Sequence, residues 1–428
     1  MDISKIENLD TLCVQAGYSP KSGDPRIAPI VQSTTFYYDT AEELADLFDL
    51  KSDGFFYSRL GNPTCDVLER KISALEGGVG ALATSSGQAA SMILVTNLCA
   101  AGDHIVCSQT VYGGTFNLFD VTLRKLGIET TFVPPDATEE QLEAAVRPNT
   151  RLIFGETIAN PAITVLAFDN FAAVAKRHGI VFAVDNTLAT PINCRPLRLG
   201  ANIVLHSATK YLDGHATSVG GLLVDGGNFC YEGNPRYPEF NRPDESYHGL
   251  VYARDCGKSA FIVKARVQMM RDMGAMMAPM NAFLINLGAE TLAVRMEKTA
   301  KNALEIAKRL KNSDKIEFVK YPMLADFAYR ENAAKYLENG GGGMLSFGLK
   351  GGRAACETFI ASLNFVALVT HVADLRSSVI HPASTTHRQL SDEALTAAGV
   401  PANLIRLSLG IENVEDIWAD IEQALSKV

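Results

Sequence analysis

The stretch from Ser207 to His215 carries the residue types best suited to covalent chemistry. It reads Ser-Ala-Thr-Lys-Tyr-Leu-Asp-Gly-His and follows an apolar run, residues 201–205, that predicts a short buried strand. Lys210 is therefore expected at the carboxyl end of a strand, where open α/β sheets bind their ligands. A lysine desolvated there loses its proton, and the free amine can form a Schiff base with an aldehyde. Ser207 and Thr209 offer hydroxyl groups to an anion such as phosphate; a surface lysine is the alternative.

A carboxylate ends the strand predicted just before this one. Residues 179–184 form a continuous apolar run that ends at Asp185, and such runs are typical of parallel strands covered on both faces. Asp185 and Lys210 are therefore expected at the same edge of the sheet. A carboxylate there can keep a pyridine nitrogen protonated, and a lysine with such a partner indicates pyridoxal-phosphate chemistry. The alternative role for Asp185 is to cap a following helix.

A phosphate site is predicted where a helix begins after Ser86. Residues 80–91 read as a strand, a turn and a helix of small residues. The first turn of such a helix offers unpaired backbone N–H groups and the positive end of the helix dipole. Ser86, Gly87 and Gln88 are the expected cradle, and close helix–sheet packing of small residues is the alternative.

The sequence allows two roles for each of four aromatic or cationic residues. Tyr112 precedes two glycines, so we expect it on a loop, either stacked on an aromatic cofactor or packed in the core. Tyr57 and Arg59 lie two apart in an extended segment and point to one side, either in a surface turn or toward the site of a neighbouring subunit. Arg406 lies among apolar residues of a predicted strand and needs a carboxylate, either structural or from a substrate.

Composition narrows the class of protein. The 428 residues are 47% hydrophobic and 20% charged, with a net charge of −9, which argues against nucleic-acid or anionic-membrane partners. The eight cysteines form no CxxC pair, so we expect a reduced, cytoplasmic setting. His371, His381 and His387 match no helical metal-ligand spacing, so no metal site is predicted.

The order of predicted elements gives a domain plan. Residues 1–60 read as an irregular arm with one short helix, and residues 61–285 as a domain of alternating strands and helices. A Gly-, Pro- and Tyr-rich insertion at about 226–258 is expected to be a lid or an interface. Residues 259–311 read as helix, and residues 286–428 as a second domain.

These motifs resemble, in this order, the pyridoxal-phosphate enzymes of cysteine and methionine metabolism. The resemblance rests on Tyr57-Ser58-Arg59, Ser85-Ser86-Gly87, Tyr112-Gly113-Gly114-Thr115, Asp185-Asn186-Thr187, Ser207-Ala208-Thr209-Lys210-Tyr211 and His381-Pro382-Ala383-Ser384-Thr385-Thr386-His387. It implies an α/β fold of the type I pyridoxal-phosphate-dependent transferase (aspartate aminotransferase-like) class. That class has a mostly parallel sheet in a large domain and a smaller α/β C-terminal domain.

The resemblance also implies residue roles. Lys210 would hold the cofactor covalently and move protons, with Asp185 on the ring nitrogen and Tyr112 on the ring face. The phosphate would be held by Ser86, Gly87, Gln88, Ser207 and Thr209, with Tyr57 and Arg59 reaching in from a second subunit. Asn160 would lie near the ring oxygen. Arg406 would bind the substrate carboxylate, with His371 close by. Thr370-His371-Val372-Ala373-Asp374 stands where the family pattern is of the Asn-Val-Gly-Asp type.

Within the family the chain is most similar to the O-acetylhomoserine sulfhydrylase branch, through Pro243–Gly249 and its length. That branch implies γ-replacement of acetate by sulfide or a thiol, yielding homocysteine or methionine, in a homotetramer built from dimers. The alternatives are a methionine γ-lyase or cystathionine γ-synthase reaction on the same scaffold. Gly114 stands where γ-lyases have cysteine, which disfavours that reaction. A non-catalytic carrier is a further alternative, but such a protein would be expected to lack Lys210 or Asp185.

Overall fold

The structure is a computed structural model that describes residues 6–386, 388–389, 391–397 and 399–428. Its strands are β1 (Gly80–Thr84), β2 (His104–Ser108), β3 (Glu129–Val133), β4 (Thr150–Glu156), β5 (Val181–Asp185), β6 (Ile203–His206), β7 (Gly221–Asp225), β8 (Ile316–Lys320), β9 (Met344–Leu349), β10 (Ala367–Leu368), β11 (Ser378–Ile380) and β12 (Leu404–Ser408).

The α-helices are α1 (Leu9–Gln15), α2 (Ala41–Phe48), α3 (Pro63–Glu76), α4 (Gly87–Leu98), α5 (Gly113–Asn117), α6 (Leu123–Lys125), α7 (Glu139–Ala145), α8 (Phe168–His178), α9 (Thr190–Asn193), α10 (Pro238–Asn241), α11 (Tyr252–Asp255), α12 (Ala260–Lys264), α13 (Arg271–Met273), α14 (Pro279–Glu290), α15 (Leu292–Lys311), α16 (Arg330–Tyr336), α17 (Gly352–Ser362), α18 (Asp392–Ala397) and α19 (Val414–Leu425). Short π-helical turns span Leu118–Thr122 and Ala265–Met270. None of these described helices is long and apolar enough to cross a membrane.

The large sheet, β1 to β7, has the order β1-β7-β6-β5-β4-β2-β3. The pairs from β6 through β5, β4 and β2 to β3 are parallel, whereas β7 runs antiparallel to both β6 and β1. Strands β2 and β7 are buried along their whole length, as expected for strands with helices on both faces. The predicted mostly parallel sheet is confirmed.

The site residues meet because parallel strands end at one edge. Asp185 ends β5 and pairs with Glu156, the last residue of β4. On its other side Asp185 pairs with Leu205 of β6, and Lys210 follows β6 by one turn. The carboxyl ends of these three central strands therefore place both predicted residues at the same edge.

The small sheet, β8 to β12, has the order β10-β11-β12-β9-β8. Its pairs are antiparallel apart from β10 with β11, and Arg406 lies on the middle strand. One hydrophobic core contains Val204 of the large sheet, Met296 of α15 and Phe347 of the small sheet. The two sheets therefore share one hydrophobic core, while the domain boundaries near residues 60 and 285 stay predictions.

Two helical predictions differ from the structure. The N-terminal arm contains α1 as well as α2, because Asn8 accepts hydrogen bonds from the first N–H groups of α1 and so starts a helix. The predicted helical run over 259–311 is broken after α13, where Gly274 adopts a left-handed φ of 69°. Helices α14 and α15 then begin again beyond this break.

The insertion at 226–258 does not lie over the predicted site. The Tyr237 hydroxyl donates to Arg151 O at 2.5 Å and accepts from Val181 N at 2.8 Å. Arg236 donates to the carbonyls of His178 and Thr150. These contacts lie where β4 and β5 begin, at the opposite edge from Lys210. The expectation of an active-site lid is therefore wrong for Arg236 and Tyr237, which pack on the amino ends of these strands. The alternative expectation of an interface stays a prediction.

Candidate active site

Lys210 is a half-buried amine at the carboxyl edge of the large sheet. Its Nζ lies 3.5 Å from Nδ1 of His371. Burial lowers the pKa of the Lys210 ammonium to about 8; the positive charge of Arg406 acts in the same direction and Asp374 opposes it. A much larger fraction of this lysine is therefore a free amine near neutral pH than of an ordinary lysine.

The turn that carries Lys210 is held by the chain around it. Ser207 N donates to Thr187 Oγ1 at 2.8 Å, which ties the turn to the loop after β5. Gly214 N donates to Lys210 O at 2.8 Å. Gly214 has a φ of +67°, and a Cβ there would meet the guanidinium of Arg295, which lies under the turn. Arg295 Nη1 in turn donates to Tyr211 O at 2.7 Å. The lysine is thus presented by a fixed turn.

Asp185 has a carboxylate neighbour that sequence reasoning missed. Burial raises the pKa of the Asp185 carboxyl, while hydrogen bonding from Thr187 opposes that rise. Glu156 lies beside it, and burial together with the Asp185 charge raises the Glu156 pKa well above its usual range. Both strands end in an acid, which was the available signal. A buried carboxyl beside a half-buried one calls for a cation or a proton between them, and a protonated ring nitrogen would supply one.

The start of α4 faces the Lys210 turn. Ser86 is the N-cap and its side chain accepts from Ala89 N at 3.1 Å. A Cβ on Gly87 would lie 2.8 Å from Cβ of Ser207, so the absence of a side chain allows the close approach. Oε1 of Gln88 is buried and has no hydrogen-bond partner. The Ser86 hydroxyl and the N–H groups that begin α4 form a cradle of donors that fits a phosphate group. The unpaired Gln88 oxygen accepts hydrogen bonds, so it fits a donor and not a phosphate oxygen.

Thr209 lies at this edge with its hydroxyl already engaged. Its Oγ1 donates to Gly220 O at 3.2 Å and accepts from Gly220 N at 3.1 Å. Its contact with phosphate stays a prediction, and the structure gives its hydroxyl a role in closing the turn.

Tyr112 lies at the same edge with its side chain half exposed. It is 51% exposed, and its N–H donates to Oε1 of Glu156 at 2.6 Å. A Cβ on Gly114 would lie 2.5 Å from the Tyr112 ring and 2.6 Å from Nε2 of Gln88. The ring is therefore free to stack on a ligand, and Gly114 is required for its close packing beside Gln88.

Arg406 is a buried guanidinium without a carboxylate among the residues that the structure describes. It is 6% exposed, Nη1 donates to Oδ1 of Asn160 at 3.2 Å, and Nη2 lies 3.4 Å from the carbonyl oxygens of Thr370 and His371. Its Nε has no partner, and burial lowers its pKa to about 10. A buried cation in this state is costly, and a carboxylate ligand would satisfy it.

Tyr57 and Arg59 are not brought to Lys210 within one chain. Tyr57 is 39% exposed and its ring lies 5.0 Å from the guanidinium carbon of Arg59. No contact from either side chain to the Lys210 turn is found in the described part of the chain. Their predicted role in a neighbouring subunit's site stays a prediction.

The histidines named for a possible metal are used otherwise. His381 contacts Ser384 and Ala402 O, whereas His371 contacts Lys210. His387 lies outside the described residues. Within the described ranges, no group of three or more His, Cys, Asp or Glu residues is arranged to hold a metal ion.

Comparison with known proteins identifies the class of enzyme. A model of the Cys/Met metabolism PLP-dependent enzyme family matches residues 10–426. The chain belongs to this family and is a pyridoxal-phosphate-dependent enzyme. The predicted family is thereby confirmed.

Relatives match along the whole chain. An O-acetyl-L-homoserine sulfhydrylase from Leptospira meyeri is 42% identical over 432 residues, 98% of this chain and 97% of the relative. O-acetyl-L-homoserine sulfhydrylase 1 from Thermus thermophilus is 43% identical over 420 residues, 98% of this chain and 100% of the relative. A homocysteine/cysteine synthase from Kluyveromyces lactis is 42% identical over 436 residues, 98% of each chain.

Solved structures confirm the predicted fold class. The structure is similar to that of a candidate O-acetylhomoserine (thiol)-lyase from Campylobacter jejuni, with a TM-score of 0.94 and 37% identity over 98% of this chain and 100% of the other. That protein contains N'-pyridoxyl-lysine-5'-monophosphate. The metB structure from Corynebacterium glutamicum gives a TM-score of 0.84 and 34% identity over 99% of each chain.

Proposed function

We propose that the protein catalyses γ-replacement, converting O-acetyl-L-homoserine and sulfide, or a thiol, to L-homocysteine, or methionine, and acetate. A reaction on an amino acid is supported by the presence of two groups at one site. Lys210 is an amine with a lowered pKa, and Arg406 is a buried guanidinium that has no carboxylate in the described chain. The sulfhydrylase names of relatives that match over the whole chain support the particular reaction.

The residues around Lys210 fit pyridoxal phosphate. Ser86, Gly87, Gln88 and Ser207 would hold the phosphate at the start of α4, where helix N–H groups and the helix dipole favour an anion. When bound, the cofactor supplies an aldehyde for the amino group and a protonated ring that withdraws the electrons of the substrate's Cα–H bond. Asp185 would hold the proton on that ring.

The substrate's carboxylate would be bound by Arg406. Two parallel N–H donors give a carboxylate one orientation as well as affinity, and the unpaired Nε together with one Nη supplies such a fork. Asn160 keeps the guanidinium in place through its Oδ1. This contact would fix which bond at Cα faces Lys210.

Lys210 would move the protons. Its neutral amine takes the proton from Cα of the bound substrate, and a second deprotonation at Cβ precedes departure of acetate from Cγ. Sulfide then adds at Cγ and the protons return to carbon. The lowered pKa matters because only the unprotonated amine can accept the first proton.

A second copy of the chain would complete the site. The exposed arm residues Tyr57 and Arg59 make no contact with their own Lys210 in the described chain, and an arginine fork suits a phosphate. We therefore place them in the site of a partner subunit, in a dimer that pairs into a tetramer.

A product assay tests this function. Purified protein with pyridoxal phosphate and O-acetyl-L-homoserine should release homocysteine only when sulfide is added. A Lys210→Ala variant should release none and serves as the control. Release of an oxo acid and ammonia without sulfide would instead show γ-elimination, and no reaction with the ester under either condition would contradict the proposal.

A further inference from the structure

A buried row of polar side chains crosses the large sheet at the carboxyl ends of β4, β5 and β6. Thr157 and Asn186 directly follow β4 and β5, and His206 ends β6. The Thr157 hydroxyl donates to Oδ1 of Asn186 at 2.8 Å, and Nδ2 of Asn186 donates to Oε1 of Glu76 at 2.9 Å. Nε2 of His206 donates to the same Glu76 oxygen at 2.7 Å. All four residues are at most 1% exposed, so the row joins the ends of three strands to the end of α3.

This row lies on the opposite face of the sheet from the Asp185 carboxyl. Side chains alternate between the two faces along a strand, and residues that pair across strands share a face. Asp185 pairs with Leu205, so His206, one residue further on, takes the other face. The two faces pack in different cores, Leu205 in one and Val204 in the other. The row therefore lies behind Asp185, across one layer of sheet backbone.

Stability of the fold does not explain the pair of Glu76 and His206. Glu76 is the last residue of α3, where the helix dipole disfavours a negative charge. Oε2 of Glu76 and Nδ1 of His206 are buried without hydrogen-bond partners among the described residues. A buried ion pair with unsatisfied atoms stabilises a fold less than well-packed apolar residues do, so a role in the site is the better explanation.

We infer that Glu76 and His206 are positioning residues for the cofactor site, which keep Asp185 ionised and thereby keep a proton on the ring nitrogen of the bound cofactor. The buried Glu76 carboxylate needs a cation, and His206 supplies it as an imidazolium. The positive charge of that imidazolium acts on Asp185 through the sheet, where charges are screened less than in water. This inference deepens the proposed function and rests on the role given there to Asp185.

The groups around Asp185 make such a charge necessary. Burial raises the pKa of the Asp185 carboxyl, whereas hydrogen bonds from Thr187 and the charge of His206 lower it. Glu156, which pairs with Asp185 at the strand ends, is a second acid at the same place. Two acids this close favour protonation of one of them, so a positive charge behind the sheet is needed to keep Asp185 an anion.

The other titratable groups near Glu76 do not replace His206. Burial, and next the charge of Glu76, raises the pKa of the Cys194 thiol well above its usual value, so the thiol is neutral. Arg195 is affected by the charges of Glu76 and Glu338, but it forms no ion pair with Glu76 in the described part of the chain. His206 is the cation that contacts this carboxylate.

Protonation of the ring nitrogen separates this role from a structural one. The holoenzyme is loaded with ¹⁵N-labelled pyridoxal phosphate, and NMR shows at each pH whether the ring nitrogen carries a proton. In Glu76→Gln the amide oxygen still accepts both hydrogen bonds but carries no charge, so His206 should be neutral. The ring-nitrogen proton should then be lost at a midpoint at least about one pH unit below that of the wild type. His206→Gln, whose amide still donates to Glu76, should show the same shift.

Glu69→Gln is the matched control. Glu69 is another buried carboxylate of α3, and it pairs with Arg266 at 2.6 Å and accepts from Ala83 N at 2.8 Å. Those contacts lie at β1, the edge strand of the sheet. The variant should lower the thermal midpoint, because a buried ion pair is broken, and leave the ring-nitrogen titration as in the wild type. An equal shift in Glu69→Gln would overturn the inference, because loss of any buried acid of α3 would then disturb the site.

Asp185→Asn distinguishes failure of the inference from failure of the role on which it rests. If Asp185→Asn keeps the ring-nitrogen proton as the wild type does, the proposed role of Asp185 fails and the inference fails with it. If Asp185→Asn loses the proton while Glu76→Gln and His206→Gln keep it, the inference alone is overturned. Where one of these two variants does not fold, the other carries the test. The titration uses neither ester nor sulfide, so its result is independent of the γ-replacement assay.

Discussion

Two cations define the site at the scale of single residues. Lys210 and Arg406 both have lowered pKa values, and burial is the larger cause for each. Neither forms an ion pair with a carboxylate among the residues that the structure describes. Natural proteins rarely bury unpaired charge, so the arrangement is better explained by ligands than by the stability of the fold.

Replacing Arg406 should separate binding from stability. In Arg406→Gln we expect KM for the amino-acid substrate to rise about 30- to 5000-fold, the effect of about 2–5 kcal/mol for losing a buried charged partner. The thermal unfolding midpoint should stay level or rise, because an unpaired buried charge is removed. Arg254→Gln, an exposed arginine paired with Asp255, is the control. A fall in stability with unchanged KM would show that Arg406 is structural.

The ionisation of Lys210 gives a pH prediction. Burial disfavours the ammonium, so the amine is free above a pKa of about 8 instead of 10.5. The rate at which the apoenzyme captures pyridoxal phosphate should therefore rise with pH around that lower value, as followed by absorbance. Arg406→Gln should move the midpoint upward, because a nearby positive charge that lowers the lysine pKa is removed. A wild-type midpoint at the ordinary lysine value would contradict the account.

Residue spacing alone predicted Lys210 and Asp185, because a charged residue that ends an apolar strand is visible in a sequence. It left Arg406 and Tyr112 open, since their partners are distant along the chain. Asn160, which bonds Arg406, is 246 residues away from it. Glu156 was missed although it ends a strand as Asp185 does, because its importance depends on the strand order that makes the two acids neighbours.

At the scale of elements, the carboxyl ends of the central strands position the site residues. The amino ends of β4 and β5 are packed against the 226–258 insertion. The runs that form β4, β5 and β6 were predictable from apolar composition, and their parallel order follows from the alternation with helices. The antiparallel β7 and the position of the 226–258 insertion were not. The insertion's place is set by aromatic and hydroxyl contacts to Arg151 and Val181, which no local pattern encodes.

The insertion should matter for stability and not for catalysis. Tyr237→Phe leaves Val181 N and Arg151 O buried and unsatisfied, which should cost about 1–3 kcal/mol and lower the thermal midpoint. Tyr231→Phe is the matched control, because the buried Tyr231 hydroxyl has no partner and its removal should be neutral or stabilising. Both variants should keep kcat/KM per folded enzyme. A selective loss of kcat/KM in Tyr237→Phe would restore the lid interpretation.

At the scale of the whole molecule, the arm is the part of the chain that we propose contacts a second copy. Its exposed apolar residues include Ile27, Ile30, Tyr37 and Phe48, which a partner subunit would cover under this proposal. The resemblance predicted shared sites; the fold of one chain shows only that Tyr57 and Arg59 are available to a partner.

Mixing inactive variants tests the shared site. Dimers reassembled from Lys210→Ala and Arg59→Ala chains should regain up to about a quarter of wild-type activity, because half of such dimers are hybrids with one intact site. Lys210→Ala mixed with Asp185→Asn should regain none, since both residues belong to the same chain's site. Recovery in the second mixture alone, or in neither, would contradict sharing through the arm.

Borohydride reduction followed by peptide mass spectrometry shows which lysine holds the cofactor. Lys264 is a demanding comparison, because burial also lowers its pKa to about 8, yet it bonds Asn97 and lies away from the strand ends. We expect a pyridoxyl group on the peptide that contains Lys210 and none in Lys210→Ala. A pyridoxyl group on Lys264 or any other lysine of the wild-type enzyme would contradict it.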